Sequence, residues 1–363
     1  MLKGMSRPAV AYINLANLRH NFRVLEKQAG SATVMAVIKA NAYGHGMHLV
    51  APALLDEGCR CFAVTDAEEG AALRRITGNE AVDITLLSGI FDAGDAELCK
   101  EHALTPVLTE AGQVEMLAAA GFHGHAWLKV DTGMGRLGAA DAPALHAACT
   151  AQGIGIAGMM SHLACADEPG HALNAQQVAR FREIASSLPD DTPRSLLNSA
   201  GMISMAEHAY DVVRPGIALY GAEPIADIPL DLKPVMRLCA RVIQLRDVGR
   251  GETLSYGASF TAPEDMRIAT AAAGYADGLP RLLSNRGQAA SLSHGETAIL
   301  PIVGRICMDY CLLDASRSDV ATGSEIEFWG DALPATRVAA MVGTIAYELF
   351  TGVGERVTRI ALE

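Results

Sequence analysis

The run TVMAVIK (33–39) is apolar and β-branched until it delivers a lysine, and the loop that follows, ANAYGHG, carries Gly44 and Gly46. An apolar strand that delivers a lysine, rather than a turn residue, to its end places an amine where it could do chemistry. Four other strand-like runs also end in polar groups: Lys129 and Asp131, Ser161–His162, Asn198–Ser199, and Arg214. Each alone also reads as a satisfied structural residue, but five such ends point to one site. Glycines mark an anion site in NSAG (198–201) and RPGIALYG (214–221), where Ser199 and the backbone N–H groups near Gly216 and Ile217 could hold a phosphate. Ordinary turn glycines are the alternative. A lysine beside a phosphate cradle suits pyridoxal 5′-phosphate, whose aldehyde takes a lysine amine and whose phosphate takes the cradle. Arg214 would then face the pyridine nitrogen. An arginine does not give up its proton, so that nitrogen stays unprotonated and the ring is a weaker electron sink.

These groups need a scaffold that gathers strand ends. Strands are expected at 34–38, 61–65, 83–88, 104–108, 126–130, 156–161, 195–198 and 212–214, with helical patterns such as 66–76, 111–120 and 174–188 between them. Regular βα alternation implies a parallel sheet, because parallel strands need long crossovers. Eight strands suggest an α/β fold built on a closed (β/α)8 TIM-like barrel, whose reactive groups collect at the C-terminal strand ends. An open doubly wound sheet is the alternative. After about residue 232 the pattern changes to β-rich runs with glycine turns, MRLCARVIQL, RIATAAAGY, ETAILPIVGRICMDYCLL and SEIEFWG. Two domains are expected: a barrel over 1–232 and an antiparallel, all-β domain over 233–363. The N-terminal strand is left open to pairing with the β-domain. No Ser/Gly/Pro-rich linker separates the two, so they should pack closely.

Composition excludes several classes. The 363 residues are 50% hydrophobic and 19% charged, enough for a well-filled core, and the net charge of -12 with no basic run argues against nucleic acid or an anionic membrane. The N-terminus MLKGMSRPAVAYINL lacks the apolar core of a signal peptide, and no apolar run is long enough to span a bilayer, so the cytoplasm is expected. The eight cysteines form no CxxC pair, so neither a disulfide nor a metal site is expected.

AVIKANAYGHG, LKVDTGMGRLG, SHLACAD, NSAG, VRPGIALYG, SYGASF, GYADG, GRICMD and AYEL, in this order, resemble the pattern of bacterial alanine racemases over nearly the whole chain. The first of these is shared with related pyridoxal phosphate barrels. SYGASF and GRICMD are more specific. The resemblance implies interconversion of L- and D-alanine by two bases: Lys39, which also holds the cofactor and works on the D face, and Tyr256 of the partner subunit on the L face. Two opposed bases serve both faces of a planar centre, which one base cannot. A head-to-tail homodimer with shared sites follows from it.

The same resemblance assigns Tyr43, Ser199, Gly216 and Ile217 to the phosphate, His162 to the ring and Arg214 to the pyridine nitrogen. It places Arg136 at the substrate carboxylate, where a bidentate guanidinium suits that group, together with the backbone N–H of Met308 of the partner subunit. Lys129, Asn198 and Asp309 are supporting residues, and Lys129 is often carbamylated in the family, which lets it orient Arg136. Asp167, Tyr275 and Arg281 line the substrate entryway. One departure stands out: Glu355 occupies the place where some members have a tyrosine reaching the phosphate. A carboxylate there would repel the phosphate, so Glu355 is expected to point elsewhere. A related barrel decarboxylase would want a carboxylate in place of Arg214, and a non-catalytic single-barrel pyridoxal phosphate protein would lack the β-domain. A racemase of broader specificity is a further alternative. Supply of D-alanine to the cell wall and breakdown of D-alanine as nutrient fit the motifs equally.

Overall fold

The computed structural model describes residues 8–78, 81–293 and 296–363. Eight parallel strands close into a barrel: β2 (33–37), β3 (61–64), β4 (83–86), β5 (105–108), β6 (125–129), β7 (155–160), β8 (194–198) and β9 (212–214), with β9 returning to β2. Every expected barrel strand is present, its ends displaced by at most two residues. Their legibility has a physical cause. Barrel strands are covered on both faces and so read as continuous apolar runs, as in β2, where all residues after Thr33 are buried.

The crossover helices carry their own signals. Helix α4 (67–77) starts at Asp66, whose carboxylate accepts from the Glu69 N–H at 3.0 Å, and stops at Gly78 with φ 58°. Helix α1 (15–29) precedes the barrel and was not among the expected elements. It buries Leu18, Phe22 and Leu25 on one face, each burial being worth about 1.5–3 kcal/mol, and is capped by Asn14.

The second domain is an eight-stranded sheet in the order β13-β16-β15-β14-β17-β10-β1-β18. Its strands are β1 (10–14), β10 (236–248), β13 (266–271), β14 (288–293), β15 (296–303), β16 (311–314), β17 (325–329) and β18 (358–362); a separate ribbon joins β11 (253–254) to β12 (260–261). The N-terminal strand does pair here, antiparallel to β10 and parallel to β18. That parallel pair is the exception to the antiparallel expectation. The domain also contains two short helices, α10 (335–340) and α11 (346–351), so it is β-rich rather than all-β. Helix α11 matters for function because it packs against the segment that follows β2. One continuous core runs through barrel and sheet, from Leu18 and Val37 to Leu238 and Trp329. Of the eight cysteines, five are buried and three half-buried. Among the described residues no helix is long and apolar enough to cross a membrane.

Candidate active site

The C-terminal mouth of the barrel holds a cavity of about 640 Å³. Ten of the residues singled out in the sequence line it: Lys39, Tyr43, Lys129, Arg136, His162, Asn198, Ser199, Arg214, Gly216 and Ile217. Each reaches it for a local reason. Lys39 follows directly on β2, whose end is fixed by the Val37 N–H donating to the Pro215 carbonyl at 3.0 Å and the Ile38 N–H to Ala63 at 2.9 Å. Arg136 sits in a loop folded around Asp131, whose carboxylate accepts from the N–H groups of Gly133, Met134 and Gly135 at 2.8–2.9 Å. Behind it lies a buried network that sequence reasoning missed. The hydroxyls of Thr132 and Ser161 bond at 2.8 Å, and the Gln177 amide donates to Thr132 and to the carbonyl of His162, fixing the ends of β6 and β7 together.

Arg214 is 5% exposed and held from below by three acceptors: the Ser195 hydroxyl, the Ser161 carbonyl and, at 3.3 Å, the Leu196 carbonyl. Asn198 caps the short helix α9 (199–204) through Gly201, and the Ser199 hydroxyl accepts from the Gly216 N–H at 2.9 Å. Gly216 leaves room for Tyr43, because a Cβ there would run into the Tyr43 hydroxyl and displace it. Ser199, Gly216 and Tyr43 thus converge on one concave corner.

The chain between Lys39 and Gly44 turns the wrong way. Ala40, Asn41, Ala42 and Tyr43 all have φ between 51° and 56°, a left-handed turn with no glycine. For L-residues this conformation costs roughly 1–2 kcal/mol each, so the surroundings must enforce it. The sequence gives no warning, since Ala-Asn-Ala-Tyr would as readily enter a right-handed helix.

Electrostatics explain what the cavity can hold. Lys39, Lys129, Arg136 and Arg214 line it, and among the described residues no carboxylate does. Burial lowers the Lys39 amine from its ordinary value, Arg136 lowers it further and Glu69 opposes them. Lys129 is brought down to about 8 by burial and by the nearby Arg214, Arg136 and Lys39. Burial and the same cations push His162 down to about 3, so it is neutral near pH 7. A site with this lining fits a guest that brings two anionic groups, such as a phosphate and a carboxylate, and amines of lowered basicity suit covalent or proton-transfer chemistry.

Six residues that the resemblance assigns to the site are not brought to this cavity within the chain. Tyr256 is 69% and Met308 52% exposed, both on the β-domain. Asp309, paired with Arg356 at 2.9 Å, lies beside Met308, and the Tyr275 N–H donates to the Cys307 carbonyl, so the three belong to one surface cluster. Arg281 begins a short turn a few residues after Tyr275. Asp167 is not part of the lining; its charge adds to burial in raising the Tyr347 phenol. Tyr347 and Thr351, both on α11, do line the cavity although the sequence reading passed over them. Tyr347 lies 5.8 Å from the Tyr43 ring. Its only sequence signal was the AYEL motif. Glu355 is exposed and lies outside the cavity lining.

A closed parallel barrel with a lysine at one strand end, an anion cradle after its last two strands and a β-rich second domain defines a barrel enzyme that works on small anionic molecules. Comparison with known proteins makes this specific. The family models for the alanine racemase N-terminal and C-terminal domains match residues 13–224 and 235–361. The chain belongs to the alanine racemase family. It is 42% identical over 357 residues to the catabolic alanine racemase of Agrobacterium fabrum, covering 96% of this chain and 90% of that one. It is 40% identical over 362 residues to the biosynthetic enzyme of Pseudomonas aeruginosa, covering 97% and 99%. The solved structure of the Pseudomonas aeruginosa biosynthetic enzyme superposes with a TM-score of 0.89 at 38% identity, covering 98% of this chain and 100% of that one. The alanine racemase of Bartonella henselae, solved with covalently bound pyridoxal phosphate, superposes with a TM-score of 0.90 at 34% identity, covering 98% and 99%.

Proposed function

We propose that this protein interconverts L-alanine and D-alanine with pyridoxal 5′-phosphate held at the barrel mouth. The observation that carries the reading is the cavity lining, four basic side chains and, among the described residues, no carboxylate around the Tyr43–Ser199–Gly216 corner. When bound, the cofactor supplies an electron-withdrawing ring that acidifies the α-hydrogen of an attached amino acid.

The chain's own residues do the rest. Lys39 holds the cofactor through its amine and, once freed, takes or returns the α-proton on the D face. Its lowered basicity keeps a neutral fraction available for that work. Tyr43, Ser199 and the N–H groups of Gly216 and Ile217 receive the phosphate, and His162 packs near the ring. Arg214, fixed by its three acceptors, faces the pyridine nitrogen and denies it a proton. Arg136 receives the substrate carboxylate. Lys129, brought down to about 8, is nucleophilic enough at neutral pH to be carbamylated, which would turn it into an anion that orients Arg136.

The second base is Tyr256 of the partner subunit. The Tyr256 and Met308 side chains are exposed and are not part of the lining of their own chain's cavity, which leaves them free to serve another chain's site. The homodimer is therefore part of the active site, and Asp309, Tyr275 and Arg281 belong to the same face. Within the chain, we place the division between barrel and β-domain at 232/233.

The direct test is chiral analysis of the product when the cofactor-loaded protein meets L-alanine. D-alanine should accumulate to a near-equal mixture, whereas ethylamine would indicate decarboxylation and overturn the reading. Arg214→Glu provides a second check. A carboxylate there would keep a proton on the ring nitrogen and draw the electron pair away from the α-carbon. Racemisation should slow by at least about tenfold and pyruvate release per turnover should rise. Pyruvate release unchanged from wild type would remove Arg214 from that role.

A further inference from the structure

The left-handed turn at 40–43 needs something to hold it, and the structure shows what does. His45, one residue beyond Gly44, is fully buried, and its Nδ1 lies 2.9 Å from the Tyr43 carbonyl and 3.1 Å from the Ala42 carbonyl. Both partners are acceptors, so Nδ1 carries the proton. The ring stacks on Tyr220 at 4.4 Å and meets Phe350 edge-on at 4.9 Å, which leaves it one orientation. Tyr220 in turn packs 4.9 Å from the Tyr43 ring and donates its hydroxyl to the Val37 carbonyl, the last residue of β2.

Arg359 closes the arrangement from the β-domain. Its Nε donates to the Gly44 carbonyl at 3.0 Å, while its other nitrogens donate to the carbonyls of Gly354, Val357 and Val353 at 2.7–2.8 Å. Gly44 is pressed so closely onto the Phe350 carbonyl that no Cβ fits there. On the outer side, Glu69 accepts from the Asn41 N–H at 3.2 Å.

We propose that His45 is a positioning residue, supported by Arg359: by binding the carbonyls of Ala42 and Tyr43 it keeps the turn left-handed and so holds the Tyr43 hydroxyl at Gly216, where the cofactor phosphate docks. The inference rests on the phosphate-cradle reading above and extends it to residues that touch neither cofactor nor substrate. His45 itself stays neutral, since burial pushes it down to about 3, and it exchanges no proton in the reaction.

The test is a spectroscopic titration of the apoprotein with pyridoxal phosphate and, separately, with pyridoxal, which lacks the phosphate. His45→Phe keeps the stack on Tyr220 but loses the donor. Its Kd for pyridoxal phosphate should rise about tenfold, while its Kd for pyridoxal stays within about twofold of wild type. His45→Asn places an amide N–H where Nδ1 stands and should stay within about threefold for both. In a Tyr43→Phe background, His45→Phe should add no more than about twofold, because its effect passes through that hydroxyl. If His45→Phe does not fold, Arg359→Lys, which cannot span the four carbonyls, should show the same selective loss. Equal losses for both ligands, or no loss for either, would overturn the positioning role. Wild-type protein that binds pyridoxal phosphate no better than pyridoxal would instead overturn the phosphate cradle on which the role depends.

Discussion

Lys39→Ala is expected to abolish racemisation and to release the cofactor on dialysis. In the proposed mechanism the amine is both the covalent anchor and one of the two acid/base groups, so the substitution removes two functions at once. General acid–base catalysis alone is worth roughly 10²–10⁴-fold, and the lost anchor adds to it, so activity should fall beyond about 10⁴-fold. The fold should survive, because Lys39 is half-buried at a cavity wall and the adjoining backbone is held by Val37, Ile38 and the groups around Gly44 rather than by the amine. Visible absorbance retained after dialysis, together with normal conversion of L-alanine, would remove Lys39 from both roles.

Tyr256→Ala should be nearly as damaging to racemisation, by roughly 10²–10⁴-fold, yet leave the cofactor in place. It should also split the two half-reactions. On the proposed division of labour Lys39 still reaches the D face, so D-alanine should go on exchanging its α-hydrogen with deuterated solvent. L-alanine should not, because the base on its face is gone. Exchange lost equally for both enantiomers would contradict the division of labour between the two residues.

Much of this was legible in the sequence, and unevenly so. The barrel strands were readable because a strand buried on both faces is an unbroken apolar run, and Lys39, Lys129 and Arg214 because each stands at or just beyond the end of such a run; Arg136, in the loop after β6, was named only through the resemblance. The strained turn at 40–43 was invisible. Its residues do not favour a left-handed path, and the groups that hold it include His45, Glu69, Arg359 and the Phe350 carbonyl, the last two more than 300 residues away. Tyr347 was missed for a related reason, since α11 reaches the barrel mouth through packing between domains that no local pattern encodes. The parallel partnership of β1 with β18 likewise joins the two ends of the chain, beyond the range of any periodicity. Tyr256 marks the opposite limit. As an exposed tyrosine beside a short strand it has no local signal of function, and its candidacy came from the resemblance of SYGASF to the family.

The central claim is that each site combines Lys39 of one chain with Tyr256 of the other, and subunit mixing tests it most directly. The Lys39→Ala and Tyr256→Ala homodimers should each be nearly inactive. When they exchange subunits, every heterodimer has one site carrying both lesions and one carrying neither. Racemisation of L-alanine should therefore return, at about half the wild-type rate per heterodimer. If both bases came from the same chain, every site in the mixture would keep a lesion. No recovery, with exchange confirmed by an independent tag on each subunit, would contradict the shared site.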